Sequence, residues 1–236
     1  VSGYNLEPAF PFSQSSGFSQ DNMIKGVIFD FDGTLTELTI DFSFVRGEIE
    51  KVARKYVGDE EIKSQEGQYI LEMINGVEKR LGRMASEFKR EAFEELRKLE
   101  LTASEGKDVY PYTREVLSKL KIKGIKVGIF TRTHLDVVLQ VFPDIQDFVE
   151  AIVTRDDVER VKPHPDHPGE VLRLIGIRPE EALVVGDHPT DIQSGQAILA
   201  KSAAVLTGRI TREIFEEVGA TYILNDVRAV LDDLDS

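Results

Sequence analysis

The sequence predicts an α/β protein: a parallel sheet covered by helices on both faces, with a block of helices inserted after the first strand. Three observations carry this expectation. Residues 25–31 form a short apolar, β-branched run, the composition of a strand buried on both faces. From about Asp41 to Leu101 the pattern turns charged and helical in period, as in "FVRGEIEKVARKYV", "YILEMINGVEKRL" and "FKREAFEELRKLEL". Beyond "DVYPYT", apolar runs of strand length alternate with helical ones, which lays parallel strands side by side beneath crossover helices.

Taken in order, residues 1–22 are rich in Ser, Gly, Gln and Pro, hold no sustained period and read as a flexible N-terminal tail, native or added, in preference to a segment whose Phe10, Phe12 and Phe18 dock on a surface groove. The first strand spans Lys25–Phe31. Three or four amphipathic helices follow, and their apolar stripe does not keep one heptad register, which excludes a coiled coil. The remaining helices are predicted at Thr113–Lys123, Leu135–Val141, Gly169–Ile175, Asp191–Leu199 and Thr211–Glu217. Strands are expected between them at Ile125–Thr131, Ala151–Val153, Ala182–Gly186, Ala203–Leu206 and Tyr222–Leu224. This divides the chain into an α/β core of residues 23–35 and 109–236 and a helical cap of residues 36–108.

Composition narrows the chemistry. The 236 residues are 41% hydrophobic, enough for a sizeable core, and no run reaches the roughly 18 apolar residues a membrane span needs. A soluble, cytoplasmic protein, monomeric or homodimeric, is the expectation. There are no cysteines, so disulfides, thiolate metal sites and a cysteine nucleophile are excluded. A formal charge of -13 disfavours nucleic acid and anionic membranes as partners, and any small anionic substrate requires local cations.

Asp30 and Asp32, in "VIFDFDGT", fall where the first strand leaves the sheet. Side chains two apart on a strand point the same way, so both carboxylates face one point above the sheet. Two like charges there are costly without a cation, so the pair predicts a divalent metal, most simply Mg²⁺ on oxygen ligands. In isolation an ordinary acidic turn reads the same. A calcium loop starting at Asp30 does not fit, because Leu35 and Asp41 stand where Gly and Glu are required.

Further strand ends each deliver polar groups: Thr131, Arg132 and Thr133 in "FTRT", Lys162 in "VKPHPD", and Asp187 and Asp191 in "GDHPTD". Singly, Thr131 and Asp187 read as helix caps, Lys162 as a surface lysine, Arg132 as pointing to solvent, and Asp191 as the N-cap of its helix. Together they are hard to assign to separate caps, because ligands of open α/β sheets gather at the strand carboxyl ends. His164 and His167 read as surface histidines, and His188 as a residue lining the site without a required role.

This ordered set resembles the haloacid dehalogenase superfamily, over residues 24 to about 208, with the inserted helices placed as in members that carry a helical cap. The resemblance implies a Rossmann-like core and Mg²⁺-dependent hydrolysis of a small phosphorylated metabolite. By it, Asp30 is the nucleophile and Asp32 the acid and base; Asp30, Asp187 and the main-chain carbonyl of Asp32 hold the metal. Thr131, Lys162 and, as an added cation, Arg132 bind phosphate, while Thr34 and Asp191 support the site from behind. An acid at position 32 sets the chain apart from dehalogenases, P-type ATPases and phosphonatases. Helical-cap phosphatases similar to phosphoglycolate phosphatase match best; a β-phosphoglucomutase-type mutase shares the motifs, and a silent scaffold would have no need of all five polar groups. The helix after "GDHPTD" lacks the Ala-Gly of many relatives. From the cap, Arg46, Lys79, Arg80 and Arg83 are candidates for substrate recognition.

Overall fold

The computed structural model describes residues 23–233 of the chain. The reading of residues 1–22 as a tail, with its three phenylalanines, lies outside the described residues. Six strands form one sheet, β1 (Gly26–Phe29), β2 (Lys126–Phe130), β3 (Ala151–Val153), β4 (Ala182–Gly186), β5 (Lys201–Val205) and β6 (Tyr222–Leu224). Their order is β3-β2-β1-β4-β5-β6 and every pairing is parallel. The chain therefore builds outward from β1 to β3, then restarts on the other side of β1 with β4. That reversal is the crevice where open α/β sheets bind ligands.

Strand composition follows from burial. All of β1 and β4 is inaccessible, and alternate residues serve opposite faces. Val27 and Phe29 pack with Ile129 and Val185 toward one layer of helices, while Ile28, Phe130 and Val184 pack toward the other. Each such side chain contributes about 1.5–3 kcal/mol of transfer free energy, which is why the central strands are runs of β-branched and aromatic residues.

Helices α1 (Phe42–Ala53), α2 (Asp59–Lys63), α3 (Ile70–Glu78) and α4 (Ala85–Ala103) follow β1 and bury a cluster of their own around Ile49, Ile74, Val77, Phe88 and Ala92. The Asp41 carboxylate caps α1, accepting from the Ser43 and Phe44 amides at 3.0 Å each. On the sheet, α5 (Thr113–Ile122), α6 (Leu135–Val141) and α10 (Val230–Asp233) contribute to one face, and α7 (Asp166–Ile175) covers the other. The sequence α8 (Pro189–Ala197) and α9 (Arg212–Glu217) completes the second layer around Ile192 and Phe215.

Two boundaries differ from expectation for local reasons. Helix α7 begins at Asp166, three residues early, because the prolines of "HPDHP" sit in its first turns, where a missing amide costs nothing. Helix α8 begins at Pro189, and its N-cap is His188 rather than Asp191. Asp191 is the third helical residue, and its carboxylate reaches back to accept from the His188 amide at 2.9 Å.

The inserted helices are tied to the sheet by charge. Arg155, after β3, pairs with Glu100 of α4, both buried; Arg97 pairs with Asp136 of α6; Arg132, after β2, pairs with Glu72 of α3. Arg209 donates to the Ile40 carbonyl at 3.0 Å.

Candidate active site

The first carboxylates follow from how β1 ends. The Asp30 amide still donates to Val185 O at 2.8 Å, so Asp30 is held by the sheet itself. The chain then turns on Phe31, whose carbonyl accepts from the Leu35 amide at 2.9 Å, and Gly33 takes φ +86°, a conformation with almost no steric cost for glycine alone. Asp30 and Asp32 thereby line one cavity of about 420 Å³ between the sheet and the inserted helices. Thr131, Arg132, Lys162, Asp187 and His188 line it too.

The two carboxylates meet different surroundings. Asp30 is buried and ion-paired with Lys162, whose ammonium also lies 2.8 Å from Asp191 and 4.4 Å from the Phe130 ring centroid. Burial opposes the charge on Lys162, but Asp191 and Asp30 outweigh it and hold its pKa above the ordinary value. Asp32 is separate, its Oδ2 accepting from the Thr133 hydroxyl at 2.6 Å. Burial raises its pKa; the Thr133 bond works against this and the charge on Asp30 adds to it. A carboxylic acid able to keep its proton thus stands beside a carboxylate paired with a cation, the division acid–base chemistry at one site requires.

The carboxylates of Asp30, Asp187 and Asp191 approach within 4.8 Å of one another, all buried. Asp187 is driven up to about 9 by burial first and then by the charges of Asp30 and Asp191. The Lys162 ammonium pairs with Asp30 and Asp191 but not with Asp187. Such a set, short of positive charge and made of oxygen donors, fits a divalent cation of the Mg²⁺ kind. The chain is shaped around it: a Cβ at Gly33 or at Gly208 would overlap the Asp187 carboxylate. Thr34 donates to Asp187 at 3.5 Å from the far side, as a supporting residue should.

Not every expectation holds. Arg132 does not point to solvent; it is clasped by Glu72, donates to the Lys162 carbonyl at 3.2 Å and lies over the Tyr69 ring. Thr131 does not cap the next helix, a role His134 fills; its hydroxyl oxygen instead accepts from the Thr133 amide at 3.1 Å. Lys162 is 4% exposed, far from a surface lysine. His167 is wholly buried: its Nδ1 accepts from the Lys162 amide at 3.1 Å and its Nε2 meets Val153 O at 3.1 Å, which fixes the loop that carries Lys162. Burial, with the charge of Lys162, lowers its pKa to about 4 and keeps it neutral. Of the cap candidates, Arg46 lines the cavity, whereas Lys79, Arg80 and Arg83 are exposed and outside its lining.

Three residues at the site carry no expectation from sequence. Thr133 was visible only as the second hydroxyl of "TRT". Thr207 donates to Gly33 O at 2.5 Å and fastens the turn below Asp32. Glu100 lines the cavity, and its signal was periodic: Phe88, Ala92, Leu96 and Glu100 fall four apart on one face of α4, all buried, so a charge ends an apolar row.

Residues 27–205 match the family described as haloacid dehalogenase-like hydrolase. The chain belongs to that family. Its motifs deliver the carboxylates and the lysine to the sheet crevice described above. Among curated haloacid dehalogenase-like relatives, the pyrophosphatase PpaX of Bacillus cereus (strain AH820) is 38% identical over 131 residues, covering 53% of this chain and 60% of that one. The chain therefore spans less than two thirds of the length of the curated relatives it matches. The crystal structure of a hydrolase from Pseudomonas syringae superposes with a TM-score of 0.67 at 25% identity, over 89% of this chain and 98% of that one. A β-phosphoglucomutase from Clostridium difficile shares the fold at 18% identity, with a TM-score of 0.64 over 90% of this chain and 98% of that one. Among the described residues no helix is long and apolar enough to cross a membrane.

Proposed function

We propose that this chain is a divalent-metal-dependent phosphatase that hydrolyses a small phosphomonoester through an aspartyl phosphate on Asp30, with residues 36–108 acting as the cap over the core of residues 23–35 and 109–236. The observation that carries it is the unequal pair: Asp30 buried and ion-paired with Lys162, and Asp32 two residues on, hydrogen-bonded to Thr133, its pKa raised first by burial.

In the first half-reaction an Asp30 oxygen attacks phosphorus in line, the bond from phosphorus to the leaving oxygen breaks, and the Asp32 proton passes to that oxygen. In the second, the Asp32 carboxylate takes a proton from water, whose oxygen attacks phosphorus; the bond to Asp30 breaks, releasing inorganic phosphate and restoring both carboxyl groups. Lys162 and the Thr131 hydroxyl, both in the cavity lining, would meet the equatorial oxygens where charge accumulates. Asp191 holds Lys162 at 2.8 Å, and His167 holds its main chain. Asp30, Asp187 and the Asp32 carbonyl would hold the cation, which supplies charge neutralisation of the nucleophile and the phosphoryl oxygens when bound.

A mutase would instead retain the phosphoryl group and pass it from Asp30 to a second hydroxyl of the same sugar, releasing no inorganic phosphate. The test is release of inorganic phosphate from a panel of phosphomonoesters, with Mg²⁺ and with EDTA, by the native chain and by Asp30→Asn. Metal-dependent release that the substitution abolishes supports the phosphatase. A folded, metal-binding protein that releases phosphate from no ester overturns it.

A further inference from the structure

We infer that the leaving group accepted by this site is uncharged and apolar, an aromatic or branched aliphatic alcohol, rather than a carboxylate, a second phosphate or a polyol. This rests on the phosphatase reading above and deepens it.

The cavity has two unlike ends. One end, at the strand termini around Asp30, is polar. Opposite it the wall is mostly apolar, from Leu38, Ile40, Phe42, Val45, Leu71 and Leu96, with Ser43, Gln68 and Glu100 as its polar side chains besides Arg46. Tyr69 and Phe42 remain half exposed, at 51% and 48%, so the apolar surface continues outward to solvent. Large aromatic surface left open over a buried polar site is what an apolar ligand would cover.

The cations lining the cavity are committed elsewhere. Arg46 donates to Glu50 at 3.0 Å and to the carbonyls of Gln65 and Gln68 at 2.9 and 2.6 Å. Arg132 is held by Glu72 and by the Lys162 carbonyl. Lys162 serves Asp30 and Asp191 at the phosphoryl end. A leaving group bearing its own negative charge would meet apolar carbon and the buried Glu100 carboxylate, whose Oε2 has no hydrogen-bond partner among the described residues. Arg155, which balances Glu100, is not in the lining. The several hydroxyls of a sugar would face mostly carbon along this wall, with Ser43, Gln68 and Glu100 alone to meet them, so a polyol gains less here than an apolar group does.

The experiment compares kcat/KM, in the presence of Mg²⁺, for benzyl phosphate, methyl phosphate, phosphoglycolate and glycerol 1-phosphate. All four are esters of primary alcohols, so they differ mainly in what the cap must contact. Pyrophosphate is added as the dianionic leaving group. Benzyl phosphate should exceed methyl phosphate by at least ~10-fold, the return on burying a phenyl ring, while phosphoglycolate and glycerol 1-phosphate gain nothing over methyl phosphate. In Phe42→Ala/Tyr69→Ala, two half-exposed positions whose truncation leaves the cap interior intact, the benzyl-to-methyl ratio should fall by about 10-fold. Phosphoglycolate, glycerol 1-phosphate or pyrophosphate turned over faster than benzyl phosphate overturns the inference while the phosphatase stands. No phosphate from any of the five compounds overturns both.

Discussion

Loading the carboxylate cluster with a divalent cation should release a proton from Asp187, and metal affinity should therefore climb steeply with pH. In the metal-free chain Asp187 is 4% exposed and titrates at about 9, because burial and then the charges of Asp30 and Asp191 disfavour its ionised form. In the unfolded chain it titrates near the ordinary ~3.9. The folded pKa is the higher one, so between these values the folded state binds the extra proton and the metal-free protein loses about 1.4 kcal/mol of stability per pH unit as pH rises. A cation binds the ionised carboxylate, so its affinity should rise roughly tenfold per unit across the same window. From pH 6 to pH 8 that is about a hundredfold, or ~2.7 kcal/mol of added stabilisation at saturating Mg²⁺. Asp191, raised to about 6 by burial against the pull of Lys162, is mostly ionised by the upper half of this range and contributes less. Calorimetric titration with Mg²⁺ in two buffers of different ionisation enthalpy counts the proton directly, and thermal unfolding with and without Mg²⁺ reads the stabilisation. About one proton should be released at pH 7, and Asp187→Asn should remove that release along with most of the affinity. Binding without proton release, or stabilisation equal at pH 6 and pH 8, would refute the reasoning.

Thr133→Val removes the hydroxyl that holds the Asp32 carboxylate down, so the Asp32 pKa rises further and the alkaline limb of the pH–rate profile should move upward; an unmoved limb would mean Asp32 is not the acid. Gly208→Ala places a Cβ against the Asp187 carboxylate at a backbone conformation any residue adopts, and Mg²⁺ titration should show at least ~10-fold weaker binding with the fold retained. Glu100→Gln breaks the ion pair with Arg155, whose side chains are 7% and 1% exposed, and urea unfolding should show a loss of about 3 kcal/mol that Glu100→Gln/Arg155→Met largely recovers. Recovery failing in the double variant would place the stabilisation elsewhere.

What was legible in the sequence is what local chemistry decides. The apolar run into Asp30, the glycine at 33 and the motif order specify where strands end, and the sheet supplies the convergence of Asp30, Lys162 and Asp187. What was not legible depends on which surface packs on which. Arg132 reads as solvated until Glu72, sixty residues earlier, is laid beside it. His167 sits in a proline-rich loop that looks exposed, yet α7 starts there and tucks the ring between Val153 O and the Lys162 amide. Asp191 has the residue type of an N-cap, but the turn "GDHP" lets His188 take that place and leaves Asp191 to serve both the helix start and Lys162. Cap specificity is the least legible part, because a charged helix face looks the same whether its arginines reach a ligand or, like Arg46, bond the neighbouring loop.

The acidity of the whole chain, -13 formally, meets its counterpart at this site. Three carboxylates are buried together and one lysine pairs with two of them, so an incoming phosphate dianion would meet repulsion that the raised pKa of Asp187 relieves in part. Asp30, Asp187 and the Asp32 carbonyl would hold a divalent ion that offsets this charge, and the Lys162 ammonium, needed less by Asp30, would then be available to the phosphoryl oxygens. In the proposed reaction metal and substrate binding would therefore be coupled through Asp30, the group that would have to be neutralised to bring the dianion near and yet remain free to attack it. The buried apolar strand beneath holds that carboxylate through its own sheet hydrogen bond, so a proposed nucleophile at the end of the central strand would stay in place while its partners change, as one on a loop would not.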